Sequence, residues 1–169
     1  SSLSENLNIL CLNMNYSIKK FKKITNGDYL NNFADTIYNN FLNLKTHISL
    51  VHNITKISKL LTSDHLIGYT VEMDNKIIGY LIGELMAIPD GRIVYYISYF
   101  YTSSKYRNKG IGNALFEYCI KECYQKGFRF VMLTCNREKQ IYSYYKNNGF
   151  IEDPVQRSNP PYVVLTKYL

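Results

Sequence analysis

The segment from Ile93 to Tyr101 constrains the fold more than any other part of the sequence, because both of its alternating faces are apolar or aromatic. One set of alternate positions is Ile93, Tyr95, Ile97, Tyr99 and Tyr101, and the other is Val94, Tyr96, Ser98 and Phe100. A strand that is apolar on both faces is covered on both sides, as in the centre of a sheet. We therefore expect a sheet centred on residues 92–102, with further structure packed against each face.

Hydrophobic periodicity places the other elements in the order β-α-α-β-β-β-α-β-α-β. The predicted strands are 16–21, 66–73, 76–88, 92–102, 128–135 and 162–168, and the predicted helices are 30–42, 54–61, 111–125 and 138–147. Asp74-Asn75 is a hairpin signal between two of the strands. A chain of 169 residues is about one domain long. The sequence thus predicts one α/β (α+β) domain with a mixed sheet over residues 14–169, preceded by a loosely ordered arm, 1–13.

Charge and cysteine usage restrict the function classes only partly. The formal net charge of +7 attracts polyanions without identifying one. The spacing of the cysteines matches neither a CxxC pair nor a zinc site with the histidines, so we expect no metal and a reducing, cytoplasmic location. The cysteines are Cys11, Cys119, Cys123 and Cys135. No run approaches the ~20 apolar residues of a membrane span, so no membrane partner is expected.

The most informative loop is the hexapeptide Arg107-Asn108-Lys109-Gly110-Ile111-Gly112, which lies between a predicted strand and a predicted helix. A helix start leaves backbone N–H groups unpaired and carries a partial positive charge. Glycines leave room for a phosphate near those groups, and Arg and Lys add charge. The hexapeptide alone also fits an ordinary surface loop. It is neither a dinucleotide fingerprint, since Leu115 stands at the third glycine position, nor a Walker loop.

Two segments resemble motifs of the GNAT superfamily of N-acetyltransferases. Residues 101–115 contain Arg107-x-x-Gly110-x-Gly112, which resembles the superfamily's acetyl-CoA motif. Tyr145-Lys146-Asn147-Asn148-Gly149-Phe150 resembles its Tyr-x-x-x-Gly-Phe motif. The resemblance is strong over residues 76–151. It implies a GNAT-like fold, with a mostly antiparallel sheet flanked by helices and two central strands, here 93–102 and 128–135, that splay apart.

The resemblance also implies an acetyl-CoA-dependent N-acetyltransferase, in which an amine attacks the thioester directly in a ternary complex. Acetyl-CoA is then the cosubstrate, it lies between the splayed strands, and no metal is needed. Backbone groups near Phe100 would pair with its pantetheine arm, and one N–H would polarise the thioester carbonyl. The cofactor-binding residues that the resemblance implies are Phe100, Tyr101, Thr102, Arg107, Asn108, Lys109, Gly110, Ile111, Gly112, Asn136 and Tyr145.

Catalytic roles follow from the same resemblance. Tyr145 is the candidate that protonates the departing thiolate, although Tyr142 and Tyr144 compete with it as packing aromatics. An acceptor ammonium must also lose a proton before it attacks. Residues 92–102 contain no carboxylate, so Glu84 is the first candidate base and Glu72 the second, with a water relay through Ser98 or Tyr99. A ping-pong mechanism through Cys119 or Cys135 is disfavoured, because neither has a nearby histidine signature.

The acceptor amine is predicted less sharply. Ser104-Lys105-Tyr106-Arg107 resembles the loop of glucosamine-6-phosphate N-acetyltransferases, but Ser98 and Tyr99 stand where those enzymes carry adjacent Glu and Asp. Protein N-terminal or lysine acetylation is the alternative, with Pro160-Pro161-Tyr162 lining a peptide groove. A non-catalytic CoA- or nucleic-acid-binding module is a third reading, although no dense basic and aromatic stripe supports a nucleic-acid partner. The sequence does not define the oligomeric state and leaves a homodimer open.

Overall fold

The computed structural model describes residues 15–43 and 53–169, which form one seven-stranded sheet with helices on both faces. The strands are β1 (Ser17–Phe21), β2 (Leu66–Met73), β3 (Lys76–Ala87), β4 (Ile93–Thr102), β5 (Phe130–Asn136), β6 (Ile151–Glu152) and β7 (Tyr162–Tyr168). The helices are α1 (Gly27–Asn43), α2 (Ile54–Leu61), α3 (Ile111–Gln125) and α4 (Gln140–Asn147), with a 3-10 turn at Ser104–Tyr106. The predicted order is confirmed, with β6 as an additional short strand.

The spatial order of the strands is β1-β2-β3-β4-β5-β7-β6. Every neighbouring pair is antiparallel except β4 and β5, which run parallel. The predicted mixed, mostly antiparallel sheet with β4 at its centre is therefore confirmed. The predicted arm, residues 1–13, lies outside the described residues.

Both faces of β4 are covered, as its sequence predicts. On one side, here called the α3 face, Tyr95 and Ile97 pack with Leu115 of α3. On the other side, the α1 face, Tyr99 packs with residues of α1 and α2 that include Ile37. Removing such side chains from water is the main favourable contribution to folding.

The regular alternation predicted along β4 is wrong beyond Ile97. Ile97 lies opposite Gly83 and Tyr99 lies opposite Ile82, so Ser98 is an extra residue that forms a β-bulge. After the bulge Phe100 shares the α3 face with Ile97, and Tyr99 turns to the α1 face. The bulge thus interrupts the β3–β4 ladder just before the part of β4 that leads into the glycine loop.

Two predicted boundaries shift by two residues around β5. The strand begins at Phe130 rather than residue 128, and α4 begins at Gln140 rather than residue 138. The second shift has a local cause, because the Asn136 carbonyl accepts from Lys139 N at 3.1 Å and its side chain accepts from Glu138 N at 2.9 Å. These bonds form a turn before the helix starts. Within 15–43 and 53–169, no helix is both long and apolar enough to span a membrane.

Candidate active site

The sheet opens between its two central strands. β4 and β5 are paired only at Tyr95 with Val131 and at Tyr96 with Met132. Both strands continue beyond these pairs, β4 as far as Thr102 and β5 as far as Asn136, without further pairing to each other. The predicted splay is therefore confirmed. It leaves a gap edged by strand backbone, and the glycine loop begins just past the end of β4.

The backbone of the glycine loop enters α3 through left-handed residues and without a side-chain cap. Gly110 is the N-cap in the left-handed conformation, with φ 79°, and Asn108 is also left-handed, with φ 61°. No side chain caps this helix, and its first turn carries no acidic residue. By contrast, the Asn53 side chain caps α2. The uncapped start of α3 therefore carries backbone donors and the positive end of the helix dipole, a combination that suits an anion.

Three cations surround this helix start. Lys105 and Lys109 lie with Nζ 5.6 and 5.8 Å from the centre of the Tyr106 ring. Arg107 donates from Nε to the Thr102 carbonyl at 2.9 Å, which ties the loop to the end of β4. None of the three forms a salt bridge within the part of the chain that the structure describes. The loop therefore carries a positive charge that no neighbouring carboxylate neutralises, which suits a pyrophosphate.

The structure gives the glycine at position 112 a different reason from the one expected. A Cβ there would lie 3.1 Å from Oγ1 of Thr102 and 3.7 Å from Cζ of Phe100. The missing side chain therefore lets α3 approach the end of β4. This close approach brings Phe100, Thr102 and the helix start to one edge of the gap.

Tyr145 and Tyr144 lie on α4 at the α3 face of the gap. Tyr145 is 6% exposed and packs against Phe116 and Phe150. Burial, and to a lesser extent the nearby Cys135, raises the pKa of Tyr145, so its phenol stays protonated at neutral pH. The Tyr144 hydroxyl donates to Oδ1 of Asn113 at 3.1 Å, and burial raises its pKa to about 12. The Tyr144 hydroxyl thus joins α4 to α3.

The buried cysteines are poor nucleophiles. Burial raises the pKa of Cys135 to about 11 and that of Cys119 well above its ordinary value. Because the thiolate is the nucleophilic form, both thiols are unreactive at neutral pH. Among the described residues, no cluster of His, Cys, Asp and Glu has the arrangement of a metal site.

The two candidate bases occupy different places. Glu84 lies on β3 opposite Tyr96, level with the closed end of the gap. Glu84 is two residues after Ile82 on the same strand, so its side chain also lies on the α1 face. There its Oε2 accepts from Oγ of Ser63 at 2.8 Å. Glu72 lies on β2, two strands from the gap, and pairs with Lys19 at 2.7 Å. The structure therefore places Glu84 and Tyr145 on opposite faces of the sheet, and Glu72 away from both.

A cavity lies beyond the end of β5, and no residue of β4 or β5 lines it. It has a volume of about 810 Å³ and is lined by Arg137, Glu138 and residues of the β6–β7 loop, which include Arg157 and the turn at residues 160–161. Arg137 forms an ion pair with Glu152. Arg157 donates to the Asp153 carbonyl at 2.6 Å. Both arginines of the cavity wall therefore have hydrogen-bonding partners.

Sequence reasoning missed two groups near the site. Arg92, at the start of β4, holds the carboxylate of Asp153 with two bonds of 2.8 and 2.9 Å and so fixes the base of the β6–β7 loop. Tyr96 and Thr134 are joined by a hydrogen bond of 2.7 Å between β4 and β5. Neither pair has a local sequence signal, because the partners are 61 and 38 residues apart.

Several solved structures have a fold similar to that of this chain. The structure is similar to PaiA N-acetyltransferase from Thermoplasma acidophilum in complex with coenzyme A, with a TM-score of 0.66 and 16% identity over 92% of this chain and 100% of that one. It is also similar to the ribosomal-protein-S18-alanine N-acetyltransferase from Escherichia coli, with a TM-score of 0.66 and 12% identity over 91% and 94% of the two chains. A chain of the NatC complex bound to Gag peptide and CoA gives a TM-score of 0.69 and 19% identity over 92% and 99%.

Sequence comparison gives the family. No curated protein matches the chain. Residues 31–150, however, match the profile of the Acetyltransferase (GNAT) family, and this segment is more than half of the chain and contains the splayed strands, the glycine loop and Tyr145. The chain therefore belongs to the GNAT family and is an acetyl-CoA-dependent N-acetyltransferase.

Proposed function

We propose that acetyl-CoA binds in the gap between β4 and β5 and that a peptide α-amine attacks its thioester directly. The observation that carries the donor half is the gap itself, which ends beside an uncapped helix start with three unneutralised cations, Lys105, Arg107 and Lys109. Backbone N–H groups of residues 108–112 hold the pyrophosphate. Backbone groups of residues 100–102 on the gap side bind the pantetheine arm.

The opposite placement of Tyr145 and Glu84 fits a reaction in which the ammonium gives one proton to a base before it attacks, and a second proton, lost as the amide forms, restores the group that protonates the thiolate. The thioester supplies the acetyl group and a thiolate leaving group. Tyr145 is protonated at neutral pH and donates to that thiolate from the α3 face. Glu84 accepts the proton of the acceptor ammonium from the α1 face, through water, while the Ser63 hydroxyl orients its carboxylate. Asn136 contacts the cofactor at the end of β5. Because its Oδ1 accepts from Glu138 N, the contact is made by its side-chain N–H₂ group.

The cavity beside β5 supports a peptide rather than an amino-sugar phosphate as acceptor. Its volume of about 810 Å³ lies in the upper part of the range for ligand cavities and suits a chain of several residues better than one sugar ring. A phosphate would need cations that no carboxylate neutralises, but Arg137 is already paired with Glu152, which leaves Arg157 as the cavity arginine without an ion pair among the described residues. The similar structures include an enzyme named for a ribosomal-protein alanine and a complex bound to a peptide, which is a further reason to test peptides.

A panel of three acceptors tests this assignment. The first is a lysine-free peptide with a free α-amine, the second is the same peptide with a blocked N-terminus and one internal lysine, and the third is glucosamine 6-phosphate. Release of free CoA thiol is followed with each. We expect the highest kcat/KM for the free α-amine. A higher value for glucosamine 6-phosphate would restore the acceptor that Ser104–Arg107 suggests, and a higher value for the blocked peptide would make the enzyme a lysine acetyltransferase.

A further inference from the structure

The backbone ladder between β4 and β5 is unusually short for the centre of a sheet. It consists of two residue pairs, at Tyr95 with Val131 and at Tyr96 with Met132. The antiparallel ladder between β5 and β7, by comparison, continues along β5 from Phe130 to Asn136. Two parallel pairs at one end of a long gap are a weak constraint on how far the strands stand apart, because parallel pairing is slightly less stable per residue than antiparallel pairing.

A side-chain hydrogen bond lies directly beyond this ladder. The hydroxyls of Tyr96 and Thr134 are 2.7 Å apart. Tyr96 is in the last pair of the ladder, whereas Thr134 is two residues past Met132, in the unpaired part of β5. Thr134 and Met132 share the α1 face of the strand, so the bond closes the narrow end of the gap from that face. Both side chains are half-buried, which strengthens such a bond relative to one in open water.

We propose that Tyr96 and Thr134 form a latch that sets the separation of β4 and β5 and thereby positions acetyl-CoA. This inference rests on the proposed placement of acetyl-CoA in the gap. The latch bridges the strands where their backbone bonds end, so the bound cofactor meets a preformed gap of fixed width. Both residues are positioning residues, since they act through the strand backbones that contact the cofactor. A preorganised gap binds more tightly because less ordering is left to the binding step.

Removal of either hydroxyl tests the latch. Tyr96→Phe and Thr134→Val each delete one partner with little change of shape, and isothermal titration with CoA gives Kd. A net hydrogen bond of ordinary strength predicts binding weaker by about three- to tenfold for each variant. The double variant should bind no more weakly than the worse single variant, since both remove the same bond. Thr134→Ser keeps the hydroxyl and should bind as the wild type does.

A matched control separates positioning from general stability. Tyr95 precedes Tyr96 on β4, but its hydroxyl donates to the Ile67 carbonyl at 2.6 Å, away from the gap. Tyr95→Phe should lower the melting temperature and leave Kd for CoA unchanged. Unchanged CoA affinity in Tyr96→Phe, or losses that add up in the double variant, would overturn the latch while leaving the proposed function intact. Failure of the wild-type protein to bind CoA would overturn both.

Discussion

Among the polar side chains described above, Asp153 is the one whose replacement, by Asn, should destabilise the protein most. Asp153 is 3% exposed, and its carboxylate accepts five hydrogen bonds. They come from two nitrogens of Arg92, from the Thr166 hydroxyl and from the backbone N–H groups of Val155 and Gln156, at 2.6–3.0 Å. Asn keeps the shape but loses the charge and presents an N–H₂ group to donors. Arg92 then keeps only Asp90 as an ionic partner.

The size of the effect follows from the burial of the pair. Removing one partner of a buried ion pair costs about 3–5 kcal/mol when the other charge is left uncompensated, and because Arg92 keeps Asp90 we expect the lower end, about 3 kcal/mol. For a domain of this length, 1 kcal/mol shifts the melting temperature by about 2–4 °C. Asp153→Asn should therefore lower the melting temperature by about 6–12 °C, measured by circular dichroism. Urea denaturation at 25 °C should give a matching loss in the free energy of unfolding.

An exposed pair at the base of the same loop provides the control. Arg137 and Glu152 form an ion pair in which the side chains are 57% and 44% exposed. Exposed pairs contribute at most about 1 kcal/mol, so Glu152→Gln should lower the melting temperature by no more than about 4 °C. If Asp153→Asn has no larger effect than Glu152→Gln, the reasoning from burial is refuted.

The stabilisation by Asp153 should also depend on pH in a defined direction. Burial alone would raise the pKa of this carboxyl group, but the hydrogen bonds from Arg92, Thr166 and two backbone N–H groups outweigh it and hold the pKa well below its ordinary value. A group with a depressed folded-state pKa contributes stability above its unfolded pKa of about 4, and that stability is lost as the pH falls towards the folded value. The difference in unfolding free energy between wild type and Asp153→Asn should be constant from about pH 5 upward and shrink below about pH 4.

Three further predictions concern the site. Gly112→Val should weaken CoA binding by at least about tenfold, because the new side chain is pressed against the end of β4, whereas Gly27→Ala, with open space around it, should leave Kd unchanged. Tyr145→Phe should lower kcat by at least about tenfold with little change in Kd for CoA, and equal turnover would remove Tyr145 as the proton donor. Glu84→Gln should lower kcat by about 10²–10⁴ without weakening CoA binding, and Glu72→Gln should leave kcat unchanged; the reverse order would identify Glu72 as the base.

The sequence predicts the central position of β4 correctly, but not which residues share a face along its whole length. Strict alternation puts Tyr99 on the face of Ile97, whereas the bulge at Ser98 turns Tyr99 to the α1 face. A bulge depends on the partner strand as well as on the bulged one. Here Gly83 of β3 makes it sterically feasible, because a Cβ at that position would collide with the Tyr96 carbonyl and lie 2.8 Å from Cζ of Tyr95. The sequence of β4 alone does not predict the bulge, because the bulge also requires a glycine in β3.

The donor and acceptor sides of the site differ in how the sequence encodes them. The glycine loop and the Tyr145–Phe150 motif are contiguous, and their function depends on local backbone conformation, such as the left-handed Gly110 at the start of α3. Such features can be identified before the fold is known. Glu84, Tyr96 and Thr134, by contrast, become neighbours only through strand register, which sets Glu84 opposite Tyr96 and brings the Thr134 hydroxyl to 2.7 Å from that of Tyr96. A one-residue change of register would move each of these side chains to the other face, so their arrangement is specified by the whole sheet and not by any motif in it.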